Sequence, residues 1–250
     1  MKAVNYAVNQ TLNTQVTHLL VDLDGTLVGA KDFPVTFDFL RRTLPEIKKH
    51  GTWLSTLRAV RAMQEELRTP SKTANNHIRS TRVFAQSMGI SFEKADQVLS
   101  QTMSQHFPQL ERHFYPIPGA VKFLTWAKDH YPLILATNPV WKEEIVRLRI
   151  RWANIDPLLF RSMTHSEKMH ACKPSPEYYR EILFQEALRH DQCMLIGNDP
   201  KQDLPATRVG IPVFILTDSP VMDSLILKGQ KAPAWGGSFQ HLRKLLSSLT

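Results

Sequence analysis

Two cysteines in 250 residues, Cys172 and Cys193, are too few for a disulfide scaffold and point to a reducing compartment. No stretch approaches the roughly 18 consecutive apolar residues of a membrane-spanning helix, so no membrane association is expected. The first sixteen residues (MKAVNYAVNQTLNTQV) lack the apolar segment of a secretory signal, and a cytoplasmic protein is expected. Internal repeats and low-complexity tracts are missing. Zinc spacing is missing too, because His165, His170 and Cys172 lie close together without a fourth ligand. Acid is in short supply: 23 Asp and Glu against 31 Lys and Arg leave a formal charge of +8. That surplus is scattered, with small clusters at Arg41-Arg42, Lys48-Lys49 and Arg147, Arg149 and Arg151. The last three read as a solvated helix face. Without an aromatic RNA-binding signature or a zinc finger, the positive field suits anionic substrates and excludes specific nucleic-acid recognition.

What is present begins at Thr17 to Val21 (THLLV), a short buried strand whose run is broken at Gly25. Asp22 and Asp24, two residues apart, are expected to project together at its carboxyl end, the edge where open parallel sheets bind ligands. A carboxylate there can attack phosphorus and its neighbour can move protons. The pair also suits magnesium. An Asp-x-Asp-Gly turn is otherwise an ordinary solvated loop. The apolar strand before it and Thr26-Leu27 after it favour a site.

From Thr36 to about His113 helical periodicity repeats without a convincing strand. Phe37, Leu40 and Leu44 share a face that Pro45 should break or kink. Leu57, Val60, Met63 and Leu67 mark a second helix. Val83, Phe84 and Met88 mark a third with Gly89 as its C-cap, and Ser91 caps a fourth. Tyr115 to Gly119 reads as a linker. Beyond it strands alternate with helices: 132–136, 158–163, 194–197 and 213–216, the last being the final core strand. An amphipathic helix with Leu242, Leu245, Leu246 and Leu249 ends the chain. This alternation argues an α/β fold, a parallel sheet with helices on both faces. A helical bundle, residues 31–114, is inserted into a core of residues 1–30 and 115–250.

Three further segments carry chemistry. Thr137-Asn138-Pro139 follows the strand at 132–136, and Asn138 is placed to cap the next helix with Pro139 in its first position. Such a terminus binds anions. Pro174 and Pro176 stiffen the chain around Lys173, fixing where its ammonium points; a fixed lysine can neutralise phosphoryl oxygens and a neighbouring carboxylate. Leu195 to Asp203 (LIGNDPKQD) again places acids just after an apolar strand.

In this order the four segments resemble the motifs of the haloacid dehalogenase-like superfamily, most of whose members are magnesium-dependent phosphatases. Val21 to Leu27 is similar to the first motif, with Val21 where the family usually has Phe or Tyr. Thr137 matches the second. Lys173-Pro174 matches the third, approached through Thr164-His165-Ser166-Glu167. The fourth departs from the usual Gly-Asp start, since Asn198 follows Gly197 and Asp199 comes one place later. Asp199 with Asp203 is the favoured acidic pair; Asn198 with Asp203 is the alternative.

The resemblance implies a Rossmann-like core with an α-helical cap and a Mg2+-dependent phosphatase. Asp22 would be the nucleophile and Asp24 the acid and base. Thr137, Asn138 and Lys173 would bind phosphate. Asp22, Asp24 (through its backbone carbonyl), Asp199 and Asp203 would hold the metal. The substrate would be a small phosphorylated metabolite and the protein a monomer or homodimer. A sugar-phosphate mutase, or a non-catalytic binding protein on the same fold, would use the same frame. Asp24 disfavours carbon–halogen cleavage, which needs no proton donor there.

Overall fold

Successive side chains of a strand point to opposite faces, and this alternation builds the sheet. β1 (His18–Val21) sends Leu19 and Val21 to one side and Leu20 to the other. In the computed structural model, residues 16–218 and 229–248 are described. The segment before Val16, read as lacking a secretory signal, and Leu249 of the amphipathic helix lie outside the described residues. After β1 come β2 (Val28–Ala30) and the helices α1 (Asp32–Lys48), α2 (Trp53–Glu66), α3 (Asn76–Met88) and α4 (Phe92–His106). The chain returns through β3 (Phe114–Pro116) to α5 (Ala120–Ala127), β4 (Leu133–Leu135), α6 (Glu143–Trp152) and β5 (Phe160–Met163). Next are α7 (Pro176–Gln185), β6 (Cys193–Gly197), α8 (Pro200–Asp203) and β7 (Val213–Leu216). β8 (Ala234–Gly237) and α9 (Phe239–Ser247) finish the described chain.

The six-stranded sheet has the order β5-β4-β1-β6-β7-β8 with every neighbour parallel. One face packs Leu19, Val21, Leu133, Leu135 and Met194 against α5, α6 and α9. The other packs Leu20, Ile134, Leu195 and Val213 against Tyr178, Tyr179 and Ile182 of α7. The fold is therefore a Rossmann-like α/β sheet with helices on both faces. Strand order departs in both directions from β1, so the loops after β1, β4 and β6 meet at one crevice, the usual ligand position in such sheets.

Three expectations are corrected. α1 is not broken at Pro45, because the ring falls in the last turn and costs one hydrogen bond where Ile47 packs into the helical insert. Tyr115 lies not in a linker but in β3, which pairs antiparallel with β2 as a two-stranded ribbon. Val213 to Leu216 is not the last strand either. β8, with the sequence AWGG, adds to the sheet edge beside β7. Its composition is poor for a strand, so tertiary pairing decides its conformation.

The helices between β2 and β3 hold their own apolar cluster of Ile47, Ala59, Phe84, Ala85, Met88 and Ala95. Asn75 and Ser91 cap α3 and α4, and Gly89 closes α3 in the left-handed conformation, φ 67°. Each polar cap contributes about 1 kcal/mol. Backbone N–H groups of Ser71, Asn76 and His77 donate to the carbonyls of His170, Met169 and Ser166. The insert is thereby tied to the segment that leads into Lys173.

Candidate active site

Three buried side chains form the centre: Asp22 just after β1, Lys173 in the segment before α7, and Asp203 at the end of α8. The Lys173 ammonium donates to Asp22 Oδ1 at 2.8 Å and to Asp203 Oδ1 at 2.7 Å. Lys173 is 6 % exposed, Asp22 7 % and Asp203 1 %. Burial raises the Asp22 carboxyl; the Lys173 charge opposes this, but the nearby Asp203 adds to it, and the net direction is upward. Burial alone would lower the Lys173 ammonium, yet the two carboxylates hold it well above its ordinary value, so it stays protonated.

Thr26 extends the group. Its hydroxyl lies 3.2 Å from Asp22 Oδ2 and 3.1 Å from Asn198 Oδ1. Asn198 reaches this place because residue 25 is glycine: φ is +74°, and a Cβ there would stand 2.2 Å from Asn198 Nδ2. Asp203 needs a similar vacancy, since a Cβ on Gly197 would lie 2.1 Å from its Oδ2. The second Asp203 oxygen accepts from the Asp199 backbone N–H at 3.1 Å. The Asp199 carboxylate caps α8, accepting from Lys201 N at 2.9 Å.

Thr137 lies two residues beyond β4, 1 % exposed, and its Oγ1 has no hydrogen-bond partner among the described residues. Its carbonyl is pinned by the hydroxyls of Thr164 at 2.6 Å and Tyr178 at 2.8 Å. A buried hydroxyl without a partner costs about 1–3 kcal/mol, so a fixed and unanswered hydroxyl beside the carboxylate crevice suits an incoming oxyanion. Asn138 does not cap the next helix as expected. α6 starts at Glu143, behind Lys142, while Asn138 Oδ1 accepts from the Lys173 backbone N–H at 3.2 Å. The intervening loop reaches toward the insert, and the Pro139 carbonyl accepts from Asn76 Nδ2 at 3.3 Å.

Asp24 stands apart from the Asp22 group. Its side chain is 55 % exposed and forms an ion pair with Arg149 of α6. Arg149, read from sequence as part of a solvated face, is 4 % exposed. Its place four residues after Ile145 and three before Trp152, both buried, is the periodicity that could have revealed it. Burial lowers its guanidinium to about 10, with the Asp22 charge acting the other way, so it is a cation at neutral pH. Tyr178 is a further side chain that sequence reasoning did not single out.

Among the described residues no three His, Cys, Asp or Glu side chains form a metal-holding group. The donor set beside Asp22 is mixed: two carboxylates, the Asn198 amide oxygen and the Thr26 hydroxyl. An all-oxygen set with one or two carboxylates is what magnesium takes, so these residues fit that ion.

The family model for haloacid dehalogenase-like hydrolase matches residues 16–210. No curated protein matches the chain. Among solved structures, the 2-haloacid dehalogenase of Pseudomonas syringae pv. Tomato DC3000 is similar with TM-score 0.61 and 16 % identity, over 94 % of this chain and 100 % of that one. A predicted phosphoglycolate phosphatase from Haemophilus somnus 129pt gives 0.54 and 17 %, over 93 % and 99 %. YfnB of Bacillus subtilis, described as a HAD-hydrolase and bound to magnesium, gives 0.54 and 16 %, over 92 % and 98 %. At these identities the likeness is one of fold.

Proposed function

This chain belongs to the haloacid dehalogenase-like hydrolases, and from that premise we propose that it is a magnesium-dependent phosphatase acting on a small phosphomonoester through an aspartyl-phosphate on Asp22. The observation that carries the reading is the buried Asp22–Lys173–Asp203 group with a second, accessible aspartate two residues along the chain. Asp24 supports phosphate over halide chemistry, since an alkoxide leaving group needs a proton and a halide does not.

Asp22 attacks the phosphorus in line; the P–O bond to the leaving group breaks as the bond to Asp22 forms. Asp24 gives its proton to the departing alkoxide and then takes one from the water that cleaves the acyl phosphate. Lys173 and the Thr137 hydroxyl donate to the phosphoryl oxygens, where positioning and charge carry most of the catalysis. Asn138 steadies this arrangement through the Lys173 backbone. The residues that would hold magnesium are Asp22, the Asp24 carbonyl, Asn198 and Asp203. Engagement of the Asp199 carboxylate with the start of α8 supports Asn198 over Asp199. Bound there, the ion would supply positive charge to the phosphoryl oxygens and to Asp22.

The helical insert selects the leaving group, a role supported by its hydrogen bonds to the segment before Lys173. Two buried free thiols, Cys172 and Cys193, support a reducing compartment such as the cytoplasm. No helix among the described residues is long and apolar enough to cross a membrane. The test is phosphate release from a panel of small phosphomonoesters with magnesium and no bisphosphate activator. Release that stops in Asp22→Asn supports the phosphatase. Turnover only with a bisphosphate would make it a mutase, and no turnover with retained ligand binding a non-catalytic relative.

A further inference from the structure

We propose that Arg149 is a positioning residue that holds the Asp24 carboxyl group at the mouth of the site for proton transfer to the leaving group, a role that rests on the phosphatase reading above. The anchor and its cargo differ in exposure. The Arg149 side chain is 5 % exposed and that of Asp24 55 %, so a fixed guanidinium restrains a carboxylate that faces the accessible side. Arg149 is fixed because α6 is wedged into the molecule. Ile145 and Trp152 on either side of it pack with Phe107, and the Trp152 and Phe107 rings stack at 5.5 Å.

The partner set of Arg149 is one-sided. Its Nη1 is buried without a hydrogen-bond partner among the described residues, and Asp24 is the carboxylate it pairs with. A buried cation is costly without a counter-charge, and Asp24 supplies one. The contact is made by Nη2 to a single Asp24 oxygen, Oδ1, and the planar guanidinium, buried in α6, sets where that oxygen is held. As the bond between phosphorus and the leaving oxygen breaks, the Asp24 proton passes to that oxygen and Asp24 becomes the carboxylate that Arg149 holds. Water later returns a proton to Asp24 as its oxygen bonds phosphorus and the Asp22 acyl phosphate opens.

The experiment compares kcat/KM for an alkyl phosphate, whose leaving group needs a proton, with that for para-nitrophenyl phosphate, whose leaving group does not. Arg149→Met is expected to lower the alkyl value about 30-fold or more and the aryl value less than about threefold, the split general-acid catalysis implies. Arg149→Lys, which keeps the charge without the planar guanidinium, is expected to fall between, and reports the same ratio should the Met variant fail to fold. Equal losses on both esters would mark Arg149 as merely structural and overturn the proposal; so would no loss on either. Wild-type turnover separates the two levels. The alkyl ester is taken from those the wild type turns over in the panel above; if the wild type releases phosphate from none of that panel, the phosphatase reading itself fails and this role with it. If the wild type is active and the ratio does not move, only the role of Arg149 is lost.

Discussion

Asp22 and Asp38 are both buried aspartates, 7 % and 4 % exposed, yet their proton affinities move in opposite directions. Asp22 shares one lysine with a second carboxylate, Asp203, and its carboxyl is raised. At Asp38 burial also pushes upward, but hydrogen bonds from Arg41, His113, Arg42 and Arg112 overcome it and hold the carboxyl well below the usual range. The distances are ordinary on both sides: 3.0 Å from Arg41 and from Arg42, 2.7 Å from Arg112 and 3.1 Å to His113. What differs is the ratio of cations to acids. Two acids on one lysine leave a carboxylate short of neutralising charge, ready for a phosphoryl group and a divalent ion. One acid among four donors is a staple, joining α1 to the chain just before β3, where the insert leaves and rejoins the sheet. Burial alone does not mark a reactive aspartate; the count of its partners does.

The sharpest way to break that contrast is to remove the nucleophile. Asp22→Asn is expected to lower kcat by at least about 10^4-fold, the scale of losing a covalent catalyst, with folding retained by circular dichroism; residual turnover near wild type would contradict it. Lys173→Ala comes next. It should cost about 10²–10³-fold in kcat, as loss of an oxyanion donor does. Its removal also strands Asp22 and Asp203, so stability should fall by about 3–5 kcal/mol in denaturant titration. Unchanged stability would show that the network is not a closed buried group.

A smaller effect separates two adjacent residues. Asn198→Ala is expected to raise the magnesium concentration for half-maximal activity about tenfold or more, in the range seen for weakened metal sites. Asp199→Ala should leave that concentration nearly fixed and cost about 1 kcal/mol as a lost helix cap. The reverse ranking would restore Asp199 as the metal ligand. The smallest effect belongs to the staple. Asp38→Asn should lower the melting temperature at neutral pH without changing kcat. Because the folded carboxyl is depressed, its contribution is present above the unfolded value and is lost as pH falls through the folded one. The gap between wild type and variant should therefore narrow below about pH 4.

Local pattern carried much of the fold. Alternating strands and helices from residue 132 onward were legible because apolar runs of strand length are bounded by turn residues, and Gly89 and Ser91 punctuate the helices as capping chemistry requires. β8 and the β2–β3 ribbon were not legible, since their short segments owe their conformation to neighbours elsewhere in the chain. Around the site, Asp22 and Asp24 were legible from the strand and turn that carry them, while Thr137, Lys173 and Asp203 were candidates through the resemblance of their segments, in that order, to the family's motifs. It could not say that Asp24 turns to Arg149, or that Asn138 braces Lys173 in place of capping a helix. Those are facts of side-chain direction. Arg149 was hidden by its neighbours Arg147 and Arg151, whose shared charge suggested a wet face, while helical periodicity places Arg149 between two buried residues.

The most direct measurement is rapid acid quench of the enzyme during turnover of a phosphomonoester with magnesium, followed by peptide mass mapping. A phosphoryl group on the peptide containing Asp22, absent from Asp22→Asn, is the expected result. Phosphate release with the phosphoryl group on another residue, or on none, would contradict the assignment.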